Sequence, residues 1–505
     1  MSDGQFEVGV TGLQAGHRPD ACTLVIFGAS GDLTQRELVP AVYELFRQDL
    51  LPDAFAVVGF SRSNWSDDAF RERMRVAART ECDFDAASWR QFQERVFYVP
   101  GDFTATADYE RLKHRVTTIA GAQGCGGNQL FHLAAPPDFF GAIVEGLSAS
   151  GLARDTRGWR RVVIEKPFGR DLASGRALDA RIRGVFREDQ IYRIDHFLGK
   201  ETVQNMLVVR FANPSFEPIW NRNYIDHVQI TVGEDIGIGT RAAFYERTGV
   251  VRDMVQNHLL QLLCMTAIEP PVRFDGNALR DETVKVLDAV QPLDLARDCV
   301  RGQYGPGTTD GAQAAGYRQE ANVADDSTTA TFAAVKLTVD NWRWAGVPFY
   351  LRTGKRLARK LTEVVIHFKP TPHLMFRTPR DRLHANVLAF RLQPDEGIIQ
   401  TFAAKQPGPG LSIHSVRSSF LYASAFGIDT MPRAYAWLEE DAMRGDQTHF
   451  ARSDWIERAW TIVDPLTAHW ETDRPADFPN YAAGTWGPAA ADALLARDGR
   501  AWTVI

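Results

Sequence analysis

Five short apolar runs, TLVIFG, FAVVGF, RVFYVP, QLFHLAA and RVVIEK, recur through the first part of the chain. Longer mixed segments such as DDAFRERMRVAART and DFFGAIVEGLSAS separate them. Unbroken apolar runs of this length suit strands buried on both faces, and the separators are long enough for helices. A β-α-β rhythm of this kind folds as a doubly wound parallel sheet, the α/β Rossmann class.

After about Lys200 the rhythm changes. GKETVQNMLVVRF and VVRDMVQNHLLQLLCMTA read as helices. Strand-like runs then follow without helices between them: HVQITVGE, TTATFAAVKLTVD, VPFYLRTG, EVVIHFK, NVLAFRLQP and GIIQTFAAK. That pattern predicts an α+β domain with a large antiparallel sheet. Two helices are expected near the end, around AYAWLEEDAMRG and DWIERAWTIVDP, and RGQYGPGTTDGAQAAGYRQ is expected to be a long surface loop. A chain of 505 residues exceeds one ordinary core. The expected division is 1–198 for a dinucleotide-binding domain and 199–505 for an α+β substrate-binding and oligomerisation domain.

The net charge of -6, from 57 basic and 63 acidic residues, gives no basic excess that would point to nucleic acid or an anionic membrane. The five cysteines are scattered and form no C-x-x-C pair, which favours free thiols in a reducing compartment. The start MSDGQFEVGVTG lacks a basic and apolar leader, and no apolar run is long enough to span a bilayer. Cytoplasm is therefore the expected location.

FGASGDLTQRE follows the first apolar run. Glycines at Gly28 and Gly31 allow the backbone of a strand-to-helix turn to approach a pyrophosphate, and the helix start directs N–H groups at it. A lone G-x-x-G is weak, because such joints use glycine anyway. The second run ends in Ser61 and Arg62, with no acid where an NAD site places one. Arginine there suits the 2′-phosphate of NADP, although a surface arginine would look the same.

Four further segments carry chemistry-bearing residues: VVIEKPFGRD with Lys166, YRIDHFLGKETVQN with Asp195, His196 and Lys200, VVRDMVQNHLLQ with Asp253 and His258, and VPFYLRTGKR with Lys355. Each alone has a bland reading, His258 as a core histidine and Lys355 as a turn residue. Together with FGASGDL, and in this order and spacing, they resemble glucose-6-phosphate dehydrogenases over most of the chain. The resemblance implies NADP-dependent oxidation of glucose 6-phosphate to 6-phosphoglucono-1,5-lactone, the first step of the oxidative pentose phosphate pathway. It implies His258 as general base, Asp195 as the carboxylate that orients it, and Lys166 beside the reacting carbon and the cofactor. His196, Lys200 and Lys355, with Lys360 nearby, match residues that bind the sugar phosphate. Glu234 and Asp253 match residues that hold sugar hydroxyls. Gly28, Ala29, Ser30, Gly31, Asp32 and Leu33 match the pyrophosphate turn, and Arg62 the 2′-phosphate contact. It further implies a homodimer or homotetramer, and no metal.

The sequence departs from that pattern at four places. Phe197 and His132 stand where tyrosine is usual, Ala243 where glycine is favoured, and Glu37 where lysine is expected beside two anionic ligands. Glu37 reverses a charge, so it is expected to weaken ligand binding unless its side chain turns to Arg36 or another arginine. Two other readings stay open at this point: a related dehydrogenase of altered substrate range, and a weakly active paralogue that serves as a partner subunit.

Overall fold

Strand β1 (Cys22–Phe27) is buried at every position, and so is β2 (Phe55–Ser61). They pair in parallel, and with β3 (Val96–Pro100), β4 (Gln129–Leu133), β5 (Arg160–Ile164) and β6 (Ile191–Ile194) they form a sheet in the order β3-β2-β1-β4-β5-β6. This is the Rossmann order, and its direction reverses between β1 and β4, where such sheets bind their ligands. Helix Asp67–Glu81 shows how a connection is built. Ser66 accepts the N–H of Ala69 at its start, and Phe70, Met74 and Ala78, four residues apart, are buried along one stripe.

A short strand, Phe450–Ala451, adds antiparallel to β6. The structure is a computed structural model and describes residues 18–154, 157–309, 311–376, 385–428 and 431–505. These part into two compact units. The first takes the chain to Gly199 together with Pro271–Glu282 and Pro432–Glu457, and the second takes the rest. No shift of composition marks the two returning segments. The second of them is nonetheless integral: Leu438, Ala442, Met443 and Phe450 share one apolar core with Leu24, Val57 and Ile194.

The second unit holds an eight-stranded sheet. Its order is Ile413–Leu421, Gly397–Lys405, Val387–Gln393, Leu361–Phe368, Ile225–Gly233, Pro348–Gly354, Phe332–Thr338 and Cys299–Gly302. Neighbours are antiparallel except Ile225–Gly233 and Pro348–Gly354, which run parallel. Helix Glu201–Phe211 lies against strand Val387–Gln393 and helix Leu260–Ala267. The helices expected near the end are present as Ala434–Arg444 and Ser453–Thr472. The stretch read as a surface loop is more ordered than expected. Gly307–Thr309 pairs with Ala312–Ala314, and Tyr304–Gly305 pairs with Tyr481–Ala482. The apolar content of that stretch, Tyr304 and Tyr317, is fully buried in a local core, which its many glycines concealed.

Candidate functional site

In the first unit the candidate residues gather at the carboxyl ends of the parallel strands. Gly28 ends β1 with φ +90°, and its N–H donates to the carbonyl of Phe60 in β2 at 2.9 Å. A Cβ on Gly28 would lie 2.3 Å from the carbonyl oxygen of Ala134, so only glycine fits. Gly31 closes the turn, donating its N–H to the Gly28 carbonyl at 2.8 Å. Gln35 donates from Nε2 to the carbonyl of Ser30 at 3.1 Å, and Thr34 from Oγ1 to that of Gly28 at 3.3 Å. The carbonyls of the turn are thus engaged from within. Ala29, Asp32 and Leu33 complete it, with Asp32 paired to Arg36 at 2.9 Å. A bare-backbone cradle at the reversal point fits a dinucleotide pyrophosphate. Arg62 is exposed directly after β2, beside this turn, where the 2′-phosphate of NADP would need a cation.

The helix after the turn starts wide. Thr34–Leu38 has i→i+5 hydrogen bonding before the ordinary helix Val39–Arg47. Glu37 sits on it and is not left facing anions alone. Arg433, from the returning segment, lies 3.3 Å from Glu37 and 2.9 Å from Glu44, and also donates to the carbonyls of Arg36 and Glu81. Burial draws the Arg433 pKa down, but Glu44 and Glu37 more than offset this and raise it. The charge reversal therefore has its own arginine, and Arg36 is spent on Asp32. Glu37 is 41% exposed, so the pair is worth at most about 1 kcal/mol. Glu37→Lys replaces it with repulsion and is expected to lower Tm by about 2–4 °C at low salt, less at high salt, in a melting series.

Lys166 follows β5 and Glu165. Asp195 and His196 follow β6, and Asp195 Oδ1 accepts the N–H of Phe197 at 3.0 Å. Phe197 is buried, its ring 5.1 Å from that of His196. His132, in β4, is fully buried between Glu439 and Glu165. The sequence singled out His132 but not its partners.

In the second unit, Glu234 and Lys355 follow the two parallel strands Ile225–Gly233 and Pro348–Gly354. The Glu234 N–H donates to the Gly354 carbonyl at 3.0 Å. Lys355 Nζ then meets Glu234 Oε2 at 2.5 Å and Asp253 Oδ2 at 3.6 Å, over the face of Tyr245 at 5.2 Å. Three predicted residues are thereby joined, and only 2% of the Lys355 side chain is exposed. Tyr481 fixes the backbone beneath by donating from its hydroxyl to the Lys355 carbonyl at 2.8 Å. Asp253 and His258 lie on Val251–Leu259, a second wide helix. With i→i+5 bonding, residues five apart become neighbours along one face, an alignment an α-helix would not give. His258 is 1% exposed. Lys200 stands at the start of helix Glu201–Phe211, and its carbonyl accepts the N–H groups of Val203 and Gln204. Lys360 is exposed just before strand Leu361–Phe368, whose first residue pairs with Gly233. Ala243 is exposed on helix Ala242–Val250.

Comparison with known proteins agrees with this layout from end to end. Residues 25–205 match the profile described as glucose-6-phosphate dehydrogenase, NAD binding domain, and residues 207–503 match glucose-6-phosphate dehydrogenase, C-terminal domain. The glucose-6-phosphate 1-dehydrogenase of Aggregatibacter actinomycetemcomitans is 46% identical over 488 residues, 96% of this chain and 98% of that protein. Glucose-6-phosphate 1-dehydrogenase 2 of Mycobacterium tuberculosis H37Rv is also 46% identical, over 95% of this chain and 94% of its own. A solved glucose-6-phosphate dehydrogenase in complex with its substrate glucose-6-phosphate superposes with a TM-score of 0.89 at 33% identity, covering 97% of this chain and 100% of that one. The enzyme from Mycobacterium avium gives 0.81 at 38% identity, with 97% and 99% covered. Both halves of the chain thus fall within one group of enzymes, and the chain belongs to the glucose-6-phosphate dehydrogenase family.

Proposed function

We propose that this chain, which oxidises glucose 6-phosphate to 6-phosphoglucono-1,5-lactone with NADP, uses His258 as the general base. His258 takes the proton of the C1 hydroxyl as hydride leaves C1, and C1 becomes the lactone carbonyl. Asp195 serves as the carboxylate that favours the imidazolium form. Bound NADP supplies the hydride acceptor. It would be held by Gly28, Ala29, Ser30, Gly31, Asp32 and Leu33 at the pyrophosphate, by Arg62 at the 2′-phosphate, and by Lys166 near the reacting end. Lys200 and Lys355, with Lys360, supply positive charge to the sugar phosphate and His196 supplies a ring N–H, while Glu234 and Asp253 accept hydrogen bonds from its hydroxyls. In this division of labour 1–198 binds the dinucleotide and 199–505 binds the sugar and forms the homodimer or homotetramer. The exposed Phe402 and Phe420 on the outer strands of the second sheet support assembly there. Among the described residues no helix is long and apolar enough to cross a membrane, and the five free cysteines support a reducing cytoplasm.

The observation that carries the cofactor assignment is the cradle itself: a glycine at φ +90° that tolerates no side chain, with an arginine at the end of the adjoining strand. The test is the appearance of reduced nicotinamide absorbance with glucose 6-phosphate and NADP, with NAD and free glucose run alongside. Arg62→Asp is expected to cost NADP at least about tenfold in affinity while changing NAD little, since a charge-assisted contact is worth about 1.5–3 kcal/mol. Equal losses for both cofactors would remove Arg62 from the 2′-phosphate.

A further inference from the structure

The steps above make no use of the closed cluster around His132. His132 stands in the parallel sheet in register with Ile26 of β1 and Val163 of β5, and its side chain is fully buried. Nδ1 meets Glu439 Oε1, and Nε2 lies 3.1 Å from Glu165 Oε1. Glu165 Oε2 accepts the hydroxyl of Tyr435 at 3.2 Å. Glu439 and Tyr435 belong to helix Ala434–Arg444, and Glu165 to the exit of β5, one residue before Lys166. An ionised carboxylate only accepts hydrogen bonds, so a ring facing carboxylates at both nitrogens keeps both bonds only as the imidazolium. A neutral ring would set one lone pair against another. A tyrosine at this place has a single hydroxyl to donate and could not bridge two carboxylates in this way.

We propose that His132 is a positioning residue for the reaction: clamped between Glu165 and Glu439, it fixes the exit of β5 from which Lys166 projects. The proposal rests on the reading that Lys166 serves the reaction. It also gives turnover an alkaline limit. Burial by itself lowers the imidazole pKa, but the Glu439 and Glu165 carboxylates override it and raise it to about 9. Of the other titratable groups packed here, burial holds the Tyr435 hydroxyl well above 10 and raises the Cys22 thiol far above its usual range, while the Arg161 guanidinium of β5 donates to the carbonyls of Ala442 and Met443 at the end of the same helix. A raised histidine stabilises the fold fully below its unfolded pKa of about 6.5, and loses that contribution as pH climbs through about 9.

The test is kcat and Tm of the NADP-bound protein between about pH 6 and about pH 10, for the wild type, Glu439→Gln, His132→Gln and Tyr435→Phe. Both wild-type quantities should fall through about pH 9. Glu439→Gln removes one of the two carboxylates, so both limbs should move down by about one to two pH units. His132→Gln has nothing there to titrate, so its kcat should lack that limb and lie up to about 10²-fold lower at neutral pH. Tyr435→Phe keeps every charge, and should lower kcat without moving the limb; should His132→Gln fail to fold, this variant and Glu439→Gln still decide the matter. Coincident kcat limbs in the wild type and Glu439→Gln overturn the proposal, as does a shift of the Tm profile with no shift in kcat. A Lys166→Met variant with wild-type turnover overturns the reading of Lys166 and the proposal with it, which separates that failure from coincident limbs.

Discussion

His258→Asn is expected to lower kcat by about 10²–10⁴-fold, the usual contribution of a positioned general base, with KM for the sugar phosphate changed only slightly. Asparagine keeps a polar group of similar reach but cannot take a proton at neutral pH. The fold should tolerate it, because the wide helix Val251–Leu259 keeps its backbone bonds and its buried Val251, Met254, Val255 and Leu259. The acid limb of the wild-type rate profile should be absent from the residual activity of the variant. Near-normal turnover with His258→Asn would assign the proton to another group.

Lys355→Met is the second change of large effect, and it acts on stability and binding together. The ammonium is buried against Glu234 and Asp253. Removing one partner of a buried ion pair costs about 3–5 kcal/mol, and the 27% exposure of Glu234 puts this case at the lower end. Two carboxylates would then lose the cation they share, so the loss should be smaller at acid pH, where one of them can be protonated. Adding Glu234→Gln should recover part of the Tm, since the pair is then removed rather than broken. Substrate binding should not recover in the double variant, because the cation proposed for the sugar phosphate is still gone. A single variant with unchanged Tm would mean that the pair carries no stability. Full recovery of KM in the double variant would mean that Lys355 acts only through Glu234.

Much of this was legible in the sequence, and for a physical reason. Strands buried on both faces are filled mainly by apolar side chains, so β1 and β2 announce themselves as apolar runs. Strand Ile413–Leu421 does not, because it forms the edge of its sheet and most of its residues are exposed, leaving no alternation to read. The wide helices Thr34–Leu38 and Val251–Leu259 were equally hidden: their residues are those of ordinary helices, and the change of bonding comes from tertiary context. The segments that carry the site were readable as strings, yet their partners were not. Glu439 lies 307 residues from His132 and Arg433 lies 396 residues from Glu37. No local spacing encodes such pairs. They follow from the return of Pro432–Glu457 to the first unit, which nothing in composition signals.

That return sets the timetable of synthesis. Phe450 pairs with Ile194, 450 − 194 = 256 positions earlier. At about 5–20 residues per second, a ribosome needs about 13–50 s to cover that distance. Throughout this interval β6 presents an unpaired edge, and the apolar surface that Leu438, Met443 and Phe450 later cover stays open. Long-range closure of this kind is slow, and it comes long after the synthesis of the strand it completes. The nascent dinucleotide domain is therefore an unfinished sheet for most of its life on the ribosome, and the charges that tether the returning helix, Arg433 with Glu44 and His132 with Glu439, can form only when nearly the whole chain exists.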